Sequence, residues 1–449
     1  MSIGNIIKNT SDFVLFSSCL FILAGSIFLT IKMRFIQFRL IPSIFRMLKA
    51  SITKKDYEEG RHTVSPHKAL FTAMSTTLGI STIVAPVIAI SIGGPGSLIG
   101  FLLTAFFGSA ATYAEVNLSI QHRKRLPSGA VMGGPMQYLK HLLSPAVAKW
   151  YAVSCLILMT AWSGAQANQL AAILDSPLLG AFRIPVMLSG GLIAILVILA
   201  LMGGIKRIAT LSAKLVPSMF LLYIGSSLWI VFCNLDKLGE IFHTIFQSAF
   251  SPYPLASGAL VGGIISSLRW GIFKGTQACE AGIGTQAIPH SMAETKDPEA
   301  QATLAMLSTY TAGFLAFLSG CVCLMTNTWQ DPELPLGISM VAASFDLYFS
   351  YFGVIIITAS TLLFGFGTSL GNSYNGSQCF NYLTKNRKTA YYVVATGLMI
   401  FVGAILEVKT FWSLMDLVLA ATAVPHMTAL LVHALRKPSL VKEEPAETC

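Results

Sequence analysis

Charge is what this sequence has least of. Asp, Glu, Lys and Arg make up 11% of its 449 residues, where soluble domains carry about 25%. With 54% of the chain hydrophobic, a water-soluble fold would have no means of covering its apolar surface. Long uncharged runs of this kind belong in a lipid bilayer. Metal-ligand spacing is missing too. The eight cysteines are Cys19, Cys155, Cys233, Cys279, Cys321, Cys323, Cys379 and Cys449. Most lie inside apolar runs, and no pair joins histidines at zinc-type spacing, so they read as small core hydrophobes. No G-x-x-x-x-G-K-[ST] loop is present, which argues against an ATP-driven pump. No nucleophile has a positioned base, and the histidines are scattered. The sequence therefore gives no support to an enzyme and implies no organic cofactor.

The net charge of +10 does not point to nucleic acid, because the basic residues sit between apolar runs and not on one arm or domain. A spanning helix needs about 20 mostly apolar residues. Eleven such runs are expected, at 12–32, 67–92, 96–121, 148–174, 184–203, 209–233, 256–289, 301–326, 349–381, 390–406 and 411–434. The first has one lysine before it and a dense basic stretch after it, the reverse of a signal peptide. With the N-terminus outside and sides alternating, 24 of the thirty Lys and Arg fall on inside segments and four on outside ones. That bias matches the positive-inside rule and places the C-terminus in the cytoplasm. The expected organisation is an N-terminal helix and basic cytoplasmic loop over 1–66, a ten-helix core over 67–436 and a cytoplasmic tail over 437–449. The loops 33–66 and 327–348 are long, and residues 238–254 suit a short interfacial helix.

Two runs look broken. The second contains Gly79 and Pro86, and the seventh contains Gly271, Gly275, Gly282 and Gly284. Glycine and proline interrupt helices, and freed backbone groups are tolerated at membrane depth only inside protein or beside a wet cavity. With the first helix set aside, these are helices one and six of a ten-helix core. Each then opens one of two five-helix halves of opposite topology, the pattern of inverted-repeat transporters. The plainer reading is that the glycines allow close helix contact. Charges inside the runs, Glu115, Arg269, Lys274, Glu280 and Asp416, need partners or a watery path. Glu280 adjoins a break, where it can pair with Lys274, help hold an ion or carry a proton. Polar uncharged side chains collect on the same helices: Ser81 and Thr82, Gln166 and Asn168, Thr276 and Gln277, and Thr368, Asn372, Ser373 and Asn375. Amides and hydroxyls can grip a zwitterion or replace the hydration oxygens of sodium.

Several blocks resemble the alanine or glycine:cation symporters, the sodium:alanine symporter family. They are R-F-I-Q-F-R at 34–39, G-G-P-G at 93–96, G-G-P-M at 133–136, Gln166-Ala-Asn168, G-G-I-K-R-I-A at 203–209 and L-V-P at 215–217. The most specific is W-G-I-F-K-G-T-Q-A-C-E-A-G-I-G-T-Q-A-I-P-H at 270–290. The likeness covers about 34–430. It implies an all-α LeuT-type core of five plus five helices with one extra N-terminal helix. It implies sodium-driven import of alanine, glycine or a similar small amino acid through a bacterial inner membrane. By the same resemblance, Gln166 contacts substrate, and the broken segments around Gly79, Ser81 and Thr82 and around Gly275 and Thr276 cradle it. A sodium site lies near Thr368; Glu280, by its charge beside the break and not by the resemblance, is the other expected ion-binding or coupling residue. The partners expected are a small amino acid and the lipid bilayer, with the protein a monomer or weak oligomer.

The chain departs from that pattern at the expected site. Gly79-Ile80-Ser81-Thr82 stands where the family has G-T-G-N, and Ala278-Cys279 where it has S-N. Gly367 removes a hydroxyl beside Thr368, Asn372 replaces an aromatic wall and Ser377 a glutamate. A pocket that loses an indole and gains an amide is larger or more polar, so an altered amino-acid substrate is expected. A proton-coupled carrier of a different amino acid and a non-transporting sensor on the same fold stay open as alternatives.

Overall fold

The computed structural model describes residues 3–53, 63–125, 131–175, 177–250, 263–406 and 409–437. Residues 256–262 of the seventh expected run, and 438–449 of the tail, lie outside them. The described chain is helical apart from one two-stranded hairpin, β1 (Lys124–Arg125) with β2 (Val131–Met132). It opens with α1 (Ile3–Lys32), α2 (Ile36–Thr53), α3 (Pro66–Thr77), α4 (Ile80–Gly93) and α5 (Ser97–His122). After the hairpin come α6 (Pro135–Leu142), α7 (Pro145–Leu174), α8 (Val186–Met202) and α9 (Gly204–Met219). A wide turn over Phe220–Ile224 joins α9 to α10 (Gly225–Phe232). Then follow α11 (Leu238–Phe250), α12 (Gly263–Cys279), α13 (Ala287–His290) and α14 (Pro298–Thr326). The last are α15 (Ile338–Phe349), α16 (Tyr351–Thr384), α17 (Thr389–Ile405) and α18 (Lys409–Arg436).

Local chemistry sets several of these ends. Ser144 caps α7 by accepting from the Val147 amide, with Pro145 at the first helical position. Asp297 does the same for α14 through the Glu299 and Ala300 amides, ahead of Pro298. Both are standard helix starts. Among the described residues, seven helices are long and apolar enough to cross a membrane. The pair α3 and α4, bent by 41°, makes an eighth. Shorter apolar helices include α8 and α17. Large hydrophobic side chains face outward, as in the stripe Leu188, Leu192, Ile195 and Leu199 on α8. An exposed stripe of that kind is stable against lipid and not against water.

Each expected run has a helix or a broken helix as its counterpart, with three differences. The loop expected at 33–66 contains α2, an 18-residue helix with Ile36 and Ile44 buried while Phe38, Ile41 and Phe45 are exposed. Its charges and Pro42 kept it below the threshold for a span. Part of the loop expected at 327–348 is α15. The seventh run breaks at only one of its two expected glycine pairs, Gly282 and Gly284: α12 runs straight through Gly271 and Gly275 and stops at Cys279. Those two glycines serve close helix contact instead. A Cβ on Gly271 would stand 2.0 Å from the Ser97 carbonyl oxygen, and one on Gly275 would stand 3.1 Å from the Thr104 side chain. α12 and α5 therefore touch along a seam of small residues.

The break itself spans residues 280–286. Glu280, Gly282 and Gly284 all have positive φ, at 50°, 76° and 95°, which only the glycines adopt without strain. Below it, Arg123 at the end of α5 donates to the carbonyls of Ser291, Ala293 and Thr295. Arg125 pairs with Glu294 at 2.7 Å. These contacts anchor the far side of the break to the hairpin region.

Candidate functional site

The break between α3 and α4 falls at Leu78 and Gly79. Thr82 seals it from one side: its hydroxyl accepts from the Gly79 amide at 3.3 Å and donates to the Thr77 carbonyl at 3.0 Å. From the other side, the Gln166 side-chain oxygen accepts from the Ile80 amide at 3.2 Å. The Thr368 hydroxyl donates to the Leu78 carbonyl at 3.0 Å. Gln166 sits on α7 and Thr368 on α16, so two intact helices satisfy the backbone groups that the break releases. Gly79 is held close between them. A Cβ there would meet Thr368 Oγ1 at 3.0 Å and Gln166 Nε2 at 3.1 Å.

In front of this break lies a cavity of about 30 Å³, room for about one water. Thr76 and Ser81 reach it from the two halves of the first broken helix, and Gln277 and Glu280 from the start of the second break. Trp162 and Gln166 line it from α7, and Thr368 and Asn372 from α16. Each of these α7 and α16 pairs is four residues apart, which puts both members on one helix face. Asn372 is fully buried, and neither its amide nitrogen nor its oxygen has a hydrogen-bond partner. The Glu280 carboxylate accepts from the Thr285 hydroxyl at 2.5 Å.

The structure thus gathers five of the expected site residues around one space: Ser81, Gln166, Glu280, Thr368 and Asn372. Gly79 stands directly behind them. Thr82 is fully buried in the seal of the break and is not among the lining residues. Gly275 packs on α5, and the buried Thr276 hydroxyl donates back to the Ile272 carbonyl at 2.8 Å. Neither lines the cavity, because the helix does not open until Cys279. Thr76 and Trp162 line it without having been expected, and Gln277 lines it as a member of the expected polar cluster. Trp162, four positions before Gln166, carried a usable signal in that spacing.

The intramembrane charges also find places. Lys274 reaches the Gln277 side-chain oxygen at 3.4 Å, and the Gln277 amide donates to Asp416 at 2.8 Å. This chain ties α12 to α18, so Lys274 meets Gln277 and Glu280 meets Thr285. Arg269 lies 4.7 Å from the centre of the Phe16 ring on α1, a cation–π contact. Behind the second break, His426 Nδ1 donates to the Gly282 carbonyl at 2.8 Å, and its Nε2 hydrogen-bonds the Tyr138 hydroxyl at 2.5 Å. The Tyr151 hydroxyl donates to the Ile283 carbonyl at 3.0 Å. Glu115 is fully buried, 3.9 Å from His426 Nε2. Asn168, expected with the polar cluster, donates to the carbonyls of Gly403 and Leu406 and serves as glue between α7 and the end of α17.

Two helix breaks facing one another across a polar cavity offer helix-end dipoles, carbonyl oxygens and amides to a small charged solute. A family model described as the sodium:alanine symporter family matches residues 1–441. The chain is 32% identical over 441 residues to an uncharacterised transporter of Haemophilus influenzae, covering 97% of this chain and 94% of that one. It is 31% identical over 439 residues to the sodium/alanine symporter AgcS of Methanococcus maripaludis, covering 96% and 95%. Among solved structures, it resembles MhsT in complex with L-phenylalanine, with a TM-score of 0.58 at 15% identity. That match covers 83% of this chain and 89% of the other, and it shows a shared LeuT-type fold.

Proposed function

The chain belongs to the sodium:alanine symporter family, and from that premise we propose that it imports a small neutral amino acid together with sodium. The cavity between the two helix breaks carries this reading. Thr368 lines it, and the Thr368 hydroxyl stands 3.0 Å from the Leu78 carbonyl at the first break, two oxygens suited to a hard cation. Thr368 and Leu78 are the proposed sodium ligands. Ser81 and Gln166 are the proposed contacts for the amino-acid backbone. The unpartnered Asn372 amide is the proposed contact for its side chain, which favours a substrate carrying a hydroxyl or carboxamide over alanine and glycine. At about 30 Å³ the cavity is narrower than an amino acid, so binding accompanies movement of the broken helices. The proposed topology has eleven spans in the bacterial inner membrane, with the N-terminus outside and the C-terminus in the cytoplasm, on the 24-to-4 bias of Lys and Arg.

Thr368→Val tests the sodium assignment. It keeps the side-chain volume and removes the hydroxyl. The sodium concentration for half-maximal uptake is expected to rise at least tenfold in proteoliposomes, and an unchanged sodium dependence contradicts the assignment. A proton-coupled reading has one observation behind it, the Glu280 carboxylate in the cavity wall. If Glu280 carries the coupled proton, Glu280→Gln abolishes pH-driven accumulation and retains exchange. An unaltered response to pH removes Glu280 from that role.

A further inference from the structure

A second cavity, of about 240 Å³, lies between α6, α8, α9, α16 and α17 and shares no lining residue with the central one. On α16 it is lined by Tyr374, Ser377, Gln378 and Asn381. At 100° per residue these lie on the opposite side of that helix from Thr368 and Asn372. The two cavities are therefore separate places in the fold.

Three helices begin at the wall of this cavity. Gln137 belongs to the first turn of α6, Gly204 and Ile205 open α9, and Thr389 opens α17. No side chain caps any of the three N-termini. At α9 and α17 the uncapped first turns present N–H groups and the positive end of the helix dipole; α6 opens on Pro135, and its Gln137 N–H donates to the Gly134 carbonyl. An independent observation comes from the buried polar groups. Gln137 is 5% exposed and Tyr374 is 2% exposed, and both line the cavity. Among the described residues, neither the Gln137 amide nor the Tyr374 hydroxyl has a hydrogen-bond partner in the protein. The Thr389 hydroxyl donates to Asn381 Oδ1 at 2.7 Å, which leaves the Asn381 amide protons available. Buried polar groups of this kind require a partner. No acidic side chain lines the cavity, while Lys206, Arg207 and Lys388 stand beside the α9 and α17 N-termini in the chain.

We propose that this cavity is a second solute site that binds a small-molecule carboxylate. The carboxylate group sits against the first turns of α9 and α17, the arrangement that helix N-termini favour for anions. The Gln137, Gln378 and Asn381 amides hold the rest of the molecule. The volume equals about eight waters, which suits a molecule the size of an amino acid or a hydroxy acid. The site does not depend on transport, so its test is separate from that of the central cavity.

The experiment is equilibrium binding of radiolabelled L-alanine, L-lactate and L-alaninamide to the full-length chain in nanodiscs. It is run on Gln166→Leu, which disables the central site, with and without Gln378→Glu, which places a negative charge on the wall. Saturable binding of alanine or lactate to Gln166→Leu, weakened at least tenfold by Gln378→Glu, is the expected result. Lactate binding as tightly as alanine shows that the carboxylate of an organic acid suffices; alanine alone shows that the amino group is also read. Both outcomes support the site. Three outcomes overturn it: no saturable binding of either carboxylate, equal binding of alaninamide, or insensitivity to Gln378→Glu. Should Gln378→Glu not elute as a folded species, Asn386→Asp, at an exposed lining position, makes the same charge test.

Discussion

Asn372 concentrates the chemistry of the central cavity in one side chain. A buried amide with no partner costs about 1–3 kcal/mol, and both polar atoms of Asn372 are in that condition. Such a residue weakens the resting fold, and the proposed function gives it a partner only when a solute arrives. Asn372→Leu separates the two roles. Replacing an unsatisfied amide by an apolar side chain of similar size is neutral or stabilising, so the melting temperature in detergent is expected to hold or rise. The KM for amino acids with hydroxyl or carboxamide side chains is expected to rise at least tenfold, with alanine much less affected. A fall in melting temperature with an unchanged competition profile would mark Asn372 as a structural residue. That Gln166, Thr368 and Glu280 would line one candidate site was legible because polar groups interrupt otherwise apolar runs. Trp162 and Thr76 were less so, since neither stands out from the composition of its helix. Thr276 looked equivalent to its neighbour Gln277 in sequence, and only the rotation of α12 distinguishes them.

At the scale of elements, the informative contrast is between two kinds of glycine. Gly271 and Gly275 have the same neighbours in kind as Gly282 and Gly284, and no local pattern tells them apart. What differs is the helix opposite. Ser97, Gly100 and Thr104 on α5 supply a small-residue seam for the first pair. The second pair has positive φ and opens the chain. That distinction is non-local, and the sequence alone accordingly marks both pairs as interruptions. It has a measurable consequence. A methyl on Gly271 would collide with the Ser97 carbonyl, while one on Gly191 of α8 would meet nothing closer than 3.9 Å. Overpacking costs about 1–3 kcal/mol, so Gly271→Ala is expected to lower the melting temperature clearly. Gly191→Ala is expected to leave it level or raise it, alanine being the better helix former. Equal effects of the two substitutions would mean that α5 and α12 do not touch along this seam. Gly79 belongs to neither kind: Gly79→Ala presses on Thr368 and Gln166, and uptake rate is expected to fall more than stability does.

The whole molecule was the most legible scale. Hydrophobic length, the alternation of basic loops and the matched position of two glycine-rich runs led to a helical membrane protein of paired halves. The family match over residues 1–441 and the LeuT-type fold agree with that architecture. Helices too short or too charged to read as spans were harder to see. α2 and α15 carry too much charge or too few residues to register as spans, and their helical period was the overlooked signal. A cavity too small for its proposed solute, closed between two broken helices, describes a molecule that must move to work. The central claim is coupled transport through that cavity, and its most direct test is uptake of radiolabelled alanine, serine and glutamine into proteoliposomes containing the purified protein. An imposed sodium gradient is predicted to drive accumulation above equilibrium, abolished when the gradient is collapsed. Measurable binding of the same amino acids with no accumulation under a sodium or a proton gradient would contradict the account and leave a sensor on a transporter fold.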